Sequence, residues 1–167
     1  MIGSKRFQNF SIQSKTCGCI IISLLPEFKL KPDLIPKDYP IVLIDSQRDN
    51  LSSVYIDNVS AAYNAVNYLF QQGHRAIGYI MGVQSTTSGH ERLLGVKKFY
   101  REKGITLDNK FISIDHFTFK AGNKAMKRFL LQEDTNSLTA IFAASDYQAA
   151  GAEKALKEAG LKVSNEV

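Results

Sequence analysis

The chain has 167 residues, 44% hydrophobic and 22% charged, with a formal net charge of +5. That share of apolar side chains excludes a disordered polymer and suits one compact domain or parts of two. Lysines and arginines alternate with Asp and Glu, which describes a solvated basic surface, and there is no helix-turn-helix or zinc-finger spacing by which the chain would read DNA on its own.

Residues 1–15 show no hydrophobic period and are expected to form, with the two residues after them, a tail or remnant helix (1–17). Lys5, Arg6 and Lys15 ahead of the apolar run 17–25 imitate a secretory signal. The run is short, begins late and meets Pro26-Glu27 without a small-residue cleavage site, which argues for the cytoplasm. No stretch approaches transmembrane length. The two cysteines, Cys17 and Cys19, flank one glycine. Strand residues so spaced seldom form a disulfide, and two thiols without a His or Cys cluster cannot complete a zinc site, so both are expected to be idle in a reducing compartment. Cys19–Ser23 is a β-branched run of strand type, followed by a connection through Pro26, Pro32, Pro36 and Pro40 in which a regular helix is disfavoured. Ile41–Ile44 is the next strand, ending at Asp45. Both runs are continuously apolar, as strands covered on both faces of a parallel sheet are.

Val54–Ile56 reads as a short strand. Asp57 or Asn58 then caps a helix whose apolar face carries Val59, Ala62, Val66, Leu69 and Phe70. From there strand and helix alternate: strand Ala76–Met81, helix His90–Lys103, strand Phe111–Ile114, helix Ala121–Leu131, strand Leu138–Ala143 and helix Tyr147–Ala159. Gly73, Gly104 and Gly160 stand where helices should end. This alternation implies an α/β fold with a parallel sheet. Ligands of such sheets lie beyond the carboxyl ends of the strands, which draws attention to the loop from Val83 to Arg92. No nucleophile elbow, phosphate-binding glycine loop or HExxH is present, and the three histidines have no metal-ligand spacing, so neither an enzyme nor a metal or cofactor site is expected.

IVLID (41–45), VYIDN (54–58), GHRAIGYIMG (73–82), ERLLG (91–95), AIFAASD (140–146) and GAEKALKEAGLKV (151–163), in that order and at these spacings, carry a resemblance. The chain from about Gly18 to Val167 resembles the effector-binding domain of the lactose-repressor/galactose-repressor (LacI/GalR) family of bacterial transcription regulators, which shares its fold with periplasmic sugar-binding proteins. The resemblance implies a three-layer periplasmic-binding-protein-like type I fold. It implies a partial amino-terminal subdomain over 18–56 and a carboxyl-terminal subdomain, lacking its last segment, over 57–167. Measured against the family, the chain reads as truncated at both ends: the DNA-binding headpiece and hinge are missing before it, and a further strand is expected from about Asn165 onward.

The resemblance also nominates binding residues, each with a plainer alternative. Arg92 matches the family's ligand-contacting arginine in R-x-x-G, where its planar donors would grip neighbouring hydroxyls or a carboxylate; otherwise it would pair with Glu91 or another carboxylate. Asp45 stands where the family often accepts hydrogen bonds from sugar hydroxyls, or else is a loop or capping carboxylate. Ser145 replaces an asparagine common in the family's A-N-D element, so ligand identity does not transfer. Asp146 retains the acid and equally suits the N-cap of a helix starting at Tyr147. Phe117 would cover the apolar face of a pyranose or base, or else packs in the core, since Phe119 nearby is equally apolar. Thr86 and Ser88 occupy the family's ligand-contacting loop or are simply solvated, and His90 could reach the cleft.

The implied function is the ligand-sensing and dimerising part of a sugar-responsive repressor: a sugar, a sugar phosphate or, less readily, a purine-like effector closes two subdomains, and a homodimer relays the change to headpieces on DNA. An exported solute-binding protein for sugar transport is the alternative.

Overall fold

The computed structural model describes residues 16–23, 39–132 and 138–163. The expectations for the tail, for the connection through Pro26, Pro32 and Pro36 and for a strand near Asn165 lie outside the described residues. Two compact units are present: the residues up to Ile56 with Ser85–Thr87, and Asp57–Gln84 with the residues from Ser88 onward.

The first unit carries a parallel sheet of β1 (Cys19–Ile22), β2 (Ile41–Ile44) and β3 (Ser52–Val54) in that spatial order. β2 is central, with Cys19 opposite Ile41 and Val42 opposite Ser52. Ile41 and Leu43 are buried, while Ile21, Tyr39 and Leu51 pack against them. The sequence placed β3 at Val54–Ile56; it lies earlier, and Tyr55 and Ile56 are exposed. The two serines before Val54 lack an apolar period but pair with β2, and backbone pairing takes no account of side-chain polarity.

The second unit is a three-layer sandwich. Its elements are α1 (Asn58–Gln71), β4 (Ile77–Met81), α2 (Thr87–Lys103), a 3-10 turn Asn109–Phe111, β5 (Ile112–Ile114), α3 (Phe119–Leu130), β6 (Ala140–Ala143) and α4 (Asp146–Glu158). The parallel sheet runs β5-β4-β6, so β4 is bonded on both sides. All five β4 residues are buried. Because successive strand side chains point to opposite faces, Ile77, Tyr79 and Met81 enter one core with Val66 of α1 and Leu93, Val96, Phe99 and Tyr100 of α2. Ile80 enters the other, with Ala125, Met126 and Phe129 of α3 and Ala152 and Ala155 of α4. Burying each large side chain of these cores stabilises the fold by about 1.5–3 kcal/mol before entropy is counted. In the first core the Tyr79 and Tyr100 hydroxyls bond each other at 2.8 Å, and burial, with that bond, pushes the Tyr79 phenol well above its usual range.

Helix ends follow the local chemistry. Asp57 caps α1 by accepting the Ser60 N–H at 2.9 Å, and this bond, with that of the Ser60 hydroxyl, holds its carboxyl below the usual range. Thr118 caps α3 by accepting from the Ala121 N–H. Gly73, Gly104 and Gly160 have φ of 92°, 66° and 76°, as the left-handed residue after a helix requires. α2 starts at Thr87, three positions before the predicted His90, and Phe111 belongs to the 3-10 turn capped by Asp108 rather than to β5.

α3 and α4 lie against each other through glycine. A Cβ on Gly122 would stand 2.0 Å from the Gln148 carbonyl oxygen, and one on Gly151 would stand 2.0 Å from that of Phe119. The Asn123 side-chain amide donates to the Gly151 carbonyl at 3.2 Å, fixing the helices in register. Gly122→Ala must therefore push backbone apart, and we expect it to lower unfolding stability by about 1–3 kcal/mol. Urea denaturation checks this; an unchanged midpoint would show that the helices are not in such contact.

Candidate functional site

The second unit gathers several of the predicted site residues where β4, β5 and β6 end. Arg92, in the second turn of α2, is half-buried. Its Nε donates to Asn58 Oδ1 at 2.9 Å and its Nη1 donates to the carbonyl of Ala144, just past β6. Asn58, buried as the first residue of α1, also donates through Nδ2 to Glu91 Oε2 at 3.1 Å. Arg92 is thus oriented by a neutral amide and a strand-end carbonyl rather than paired with Glu91, and its Nη2 makes no hydrogen bond among the described residues.

Phe117 lies in the β5–α3 connection, with its ring centroid 6.0 Å from the Arg92 guanidinium carbon. Its ring lies on the backbone at the end of β4: a Cβ on Gly82 would come within 1.9 Å of the ring. Only glycine leaves room for it there. Phe117 also packs against the Tyr79 core, so the side chain has a face in the core and a neighbouring cation.

Ser145, not Asp146, is the N-cap of α4, and the helix begins at Asp146 rather than Tyr147. The Ser145 hydroxyl accepts from the Gln148 N–H at 3.3 Å and donates to Gln148 Oε1 at 3.4 Å, so its proton is committed within the fold. Asp146 is exposed in the first turn of α4, where a carboxylate is favourably placed by the helix dipole. Ser88 is buried and His90 exposed, both on α2, Ser88 in its first turn rather than in the expected loop.

Asp45 and Thr86 belong to the first unit. Asp45 follows β2 with φ 56°, a left-handed conformation that aspartate tolerates. Its carboxylate accepts from the Ser23 hydroxyl at 3.3 Å, and its N–H donates to the Val54 carbonyl. Thr86 is half-buried just before α2.

Two residues of this constellation were not among the nominated site residues: Asn58, which closes the VYIDN motif and was otherwise considered only as a cap, and Gln148. Gln148 is fully buried, and its Nε2 donates to the carbonyls of both Met81 and His116 at 3.2 Å. The nearest sequence signal is a long amide in the first turn of an alanine-rich helix.

An open apolar groove elsewhere in this unit runs along β6 between α1 and α4, lined by Tyr68, Leu69, Phe142, Leu156 and Val163 among others. Among the described residues its polar side-chain groups are Glu153 and the Tyr68 hydroxyl, too few to orient a polar ligand. The strand ends are the better candidate.

The sequence profile of the periplasmic binding protein-like domain family matches residues 66–167, more than half of the chain. The chain belongs to the periplasmic binding protein-like domain family. Within this family the likeness is to the effector-binding domains of LacI-family transcription regulators. The chain is 43% identical over 117 residues to the HTH-type transcriptional repressor CytR of Escherichia coli K12, an alignment covering 70% of this chain and 34% of the repressor. It is 34% identical over 175 residues to the HTH-type transcriptional repressor PurR of Pectobacterium atrosepticum, covering 99% and 50%. A solved complex of the transcriptional regulator CelR with cellobiose superposes with a TM-score of 0.80 at 28% identity, covering 97% of this chain and 50% of that one. The chain thus spans half or less of the length of these relatives. No helix among the described residues is long and apolar enough to cross a membrane.

The buried Asn58 amide is central to how Arg92 is presented. Removing it leaves the Glu91 carboxylate and Arg92 Nε without these bonds, at a cost of about 1–3 kcal/mol. Asn58→Ala is accordingly expected to lower unfolding stability by that amount and to speed solvent exchange of the Arg92 Nε–H; NMR exchange rates equal to wild type would contradict the arrangement.

Proposed function

We propose that this chain is the effector-sensing part of a cytoplasmic bacterial transcriptional repressor, and that its effector is a sugar or sugar phosphate. The observation that carries the proposal is Arg92, held from behind by Asn58 and Ala144 with Nη2 left over, beside an aromatic ring at the carboxyl ends of a parallel sheet. A guanidinium so oriented offers charge-assisted, directional hydrogen bonds to hydroxyls or to a phosphate, and Phe117 offers an apolar face for a sugar ring. The relatives support a regulator rather than a transport protein, and the CelR–cellobiose complex supports a sugar.

In this reading Arg92 and Phe117 supply the main contacts from the second unit, with Ser145 as an acceptor and Asp146, Ser88 and His90 nearby. Asp45 and Thr86, in the first unit, are nominated by the family resemblance alone. The effector favours whichever arrangement of the two units it binds more tightly, and that difference in affinity is all the free energy available to alter DNA binding. DNA contact itself belongs to a headpiece outside this chain, and the regulator acts as a homodimer, whose two-fold symmetry matches a palindromic operator.

Arg92→Ala is expected to weaken effector binding by roughly 1.5–3 kcal/mol, the worth of a charge-assisted contact, in a protein that still folds. Calorimetric titration with a panel containing cellobiose, glucose and glucose 6-phosphate, alongside circular dichroism, tests this; equal affinity in a folded variant would remove Arg92 from the site. Self-association is expected in sedimentation equilibrium, and a strictly monomeric chain at high concentration would count against the dimer for these residues.

A further inference from the structure

We infer that Gln148 is the positioning residue of the effector wall: its single side-chain amide group sets the place of Phe117 beneath Arg92. The inference rests on the reading of Arg92 and Phe117 as that wall, and it deepens it.

The geometry is a two-point hold. A glutamine amide has two N–H donors, and those of Gln148 Nε2 go to the Met81 and His116 carbonyls, each at 3.2 Å. Each carbonyl shares a rigid peptide plane with the next residue. The Met81 carbonyl lies in the plane that ends at Gly82, and the His116 carbonyl in the plane that ends at Phe117. Gly82 and Phe117 are the pair in contact, the ring lying where a Gly82 side chain would be. One NH2 group therefore orients both the floor under the ring and the backbone from which the ring projects.

The glutamine is in turn held. Its side chain is fully buried, its Oε1 accepts from the Ser145 hydroxyl, and its N–H is bonded by the same oxygen. Its own carbonyl lies against Gly122 of α3. Fold maintenance alone does not call for this amide. The Met81 carbonyl already accepts from the Asp115 N–H at 3.1 Å and the His116 carbonyl from the Thr118 N–H at 2.7 Å, so neither would be orphaned by an apolar residue at 148. What the amide adds is a fixed distance between the peptide plane at the end of β4 and one in the β5–α3 connection, and hence the alignment of the Phe117 ring with the guanidinium 6.0 Å away.

The test compares the 167-residue chain with Gln148→Met, which has similar length and no donors. Circular dichroism is expected to show the same fold. NOEs between the Phe117 ring and the Arg92 side chain are expected in the wild type, from the 6.0 Å separation, and are expected to disappear in the variant. Cellobiose and glucose 6-phosphate are titrated into both proteins, and whichever the wild type binds should bind the variant about tenfold more weakly, a loss of about 1.4 kcal/mol. Retention of the ring-to-guanidinium NOEs in folded Gln148→Met would overturn the inference, whatever happens to affinity. If the wild type binds neither probe, the functional reading loses its support while the NOE comparison still decides the role of Gln148. Should the variant fail to fold, the wild-type amide decides: slow exchange of the Gln148 Nε2 protons with NOEs to the backbone around Met81 and His116 supports the hold, and exchange at the rate of a free amide refutes it.

Discussion

The burial of β4 on both faces is the constraint from which the second unit follows. A strand of five buried residues, bonded to a parallel partner on each side, has no solvated face and requires helices above and below it. Parallel pairing in turn requires each connection to cross back over the sheet, which supplies those helices. It also brings the ends of β4, β5 and β6 to one edge, so the loops that leave them are neighbours although far apart in the chain. Arg92, Phe117 and Ser145 meet there because the sheet is parallel.

At that edge the polar groups are organised by neutral partners rather than by ion pairs. A buried charge left alone is costly, and a buried pair returns little of its desolvation. Arg92 avoids both situations: it is half-buried, and its two bonded nitrogens face an amide oxygen and a carbonyl. Its charge is consequently not neutralised by a side chain among the described residues. Gln148 donates from the opposite helical layer to the carbonyls of Met81, at the end of β4, and His116, in the connection after β5. The exposed ion pairs on the surface, such as Lys127 with Glu158 at 2.8 Å, are in a solvated setting where such contacts stabilise little.

Much of the architecture was legible from local chemistry. The continuous apolar runs at 41–44 and 77–81 are strands, Asp57 caps α1, and glycines 73, 104 and 160 end helices at positive φ. Errors arose where tertiary contacts replaced periodicity. Thr87, Ser88 and Gly89 have no apolar pattern, yet Ser88 and Gly89 are buried in the first turn of α2. Ser52 and Ser53 look like a loop but pair with β2. Ser145 rather than Asp146 is the cap, because both side chains are suitable and only backbone conformation distinguishes them.

By itself the sequence determined the α/β alternation, the helix stops and the order of motifs that reveals the family, since these depend on residues within a few positions of one another. It also singled out Arg92 and Phe117, though through family resemblance rather than through any visible partner. Only the tertiary structure decided how those residues are held. Arg92 bonds Asn58 across 34 positions, and Gln148 bonds Met81 across 67. A hydrogen bond of this kind leaves no local pattern, because donor and acceptor meet only after the sheet has formed and a backbone carbonyl presents the same acceptor whatever residue bears it.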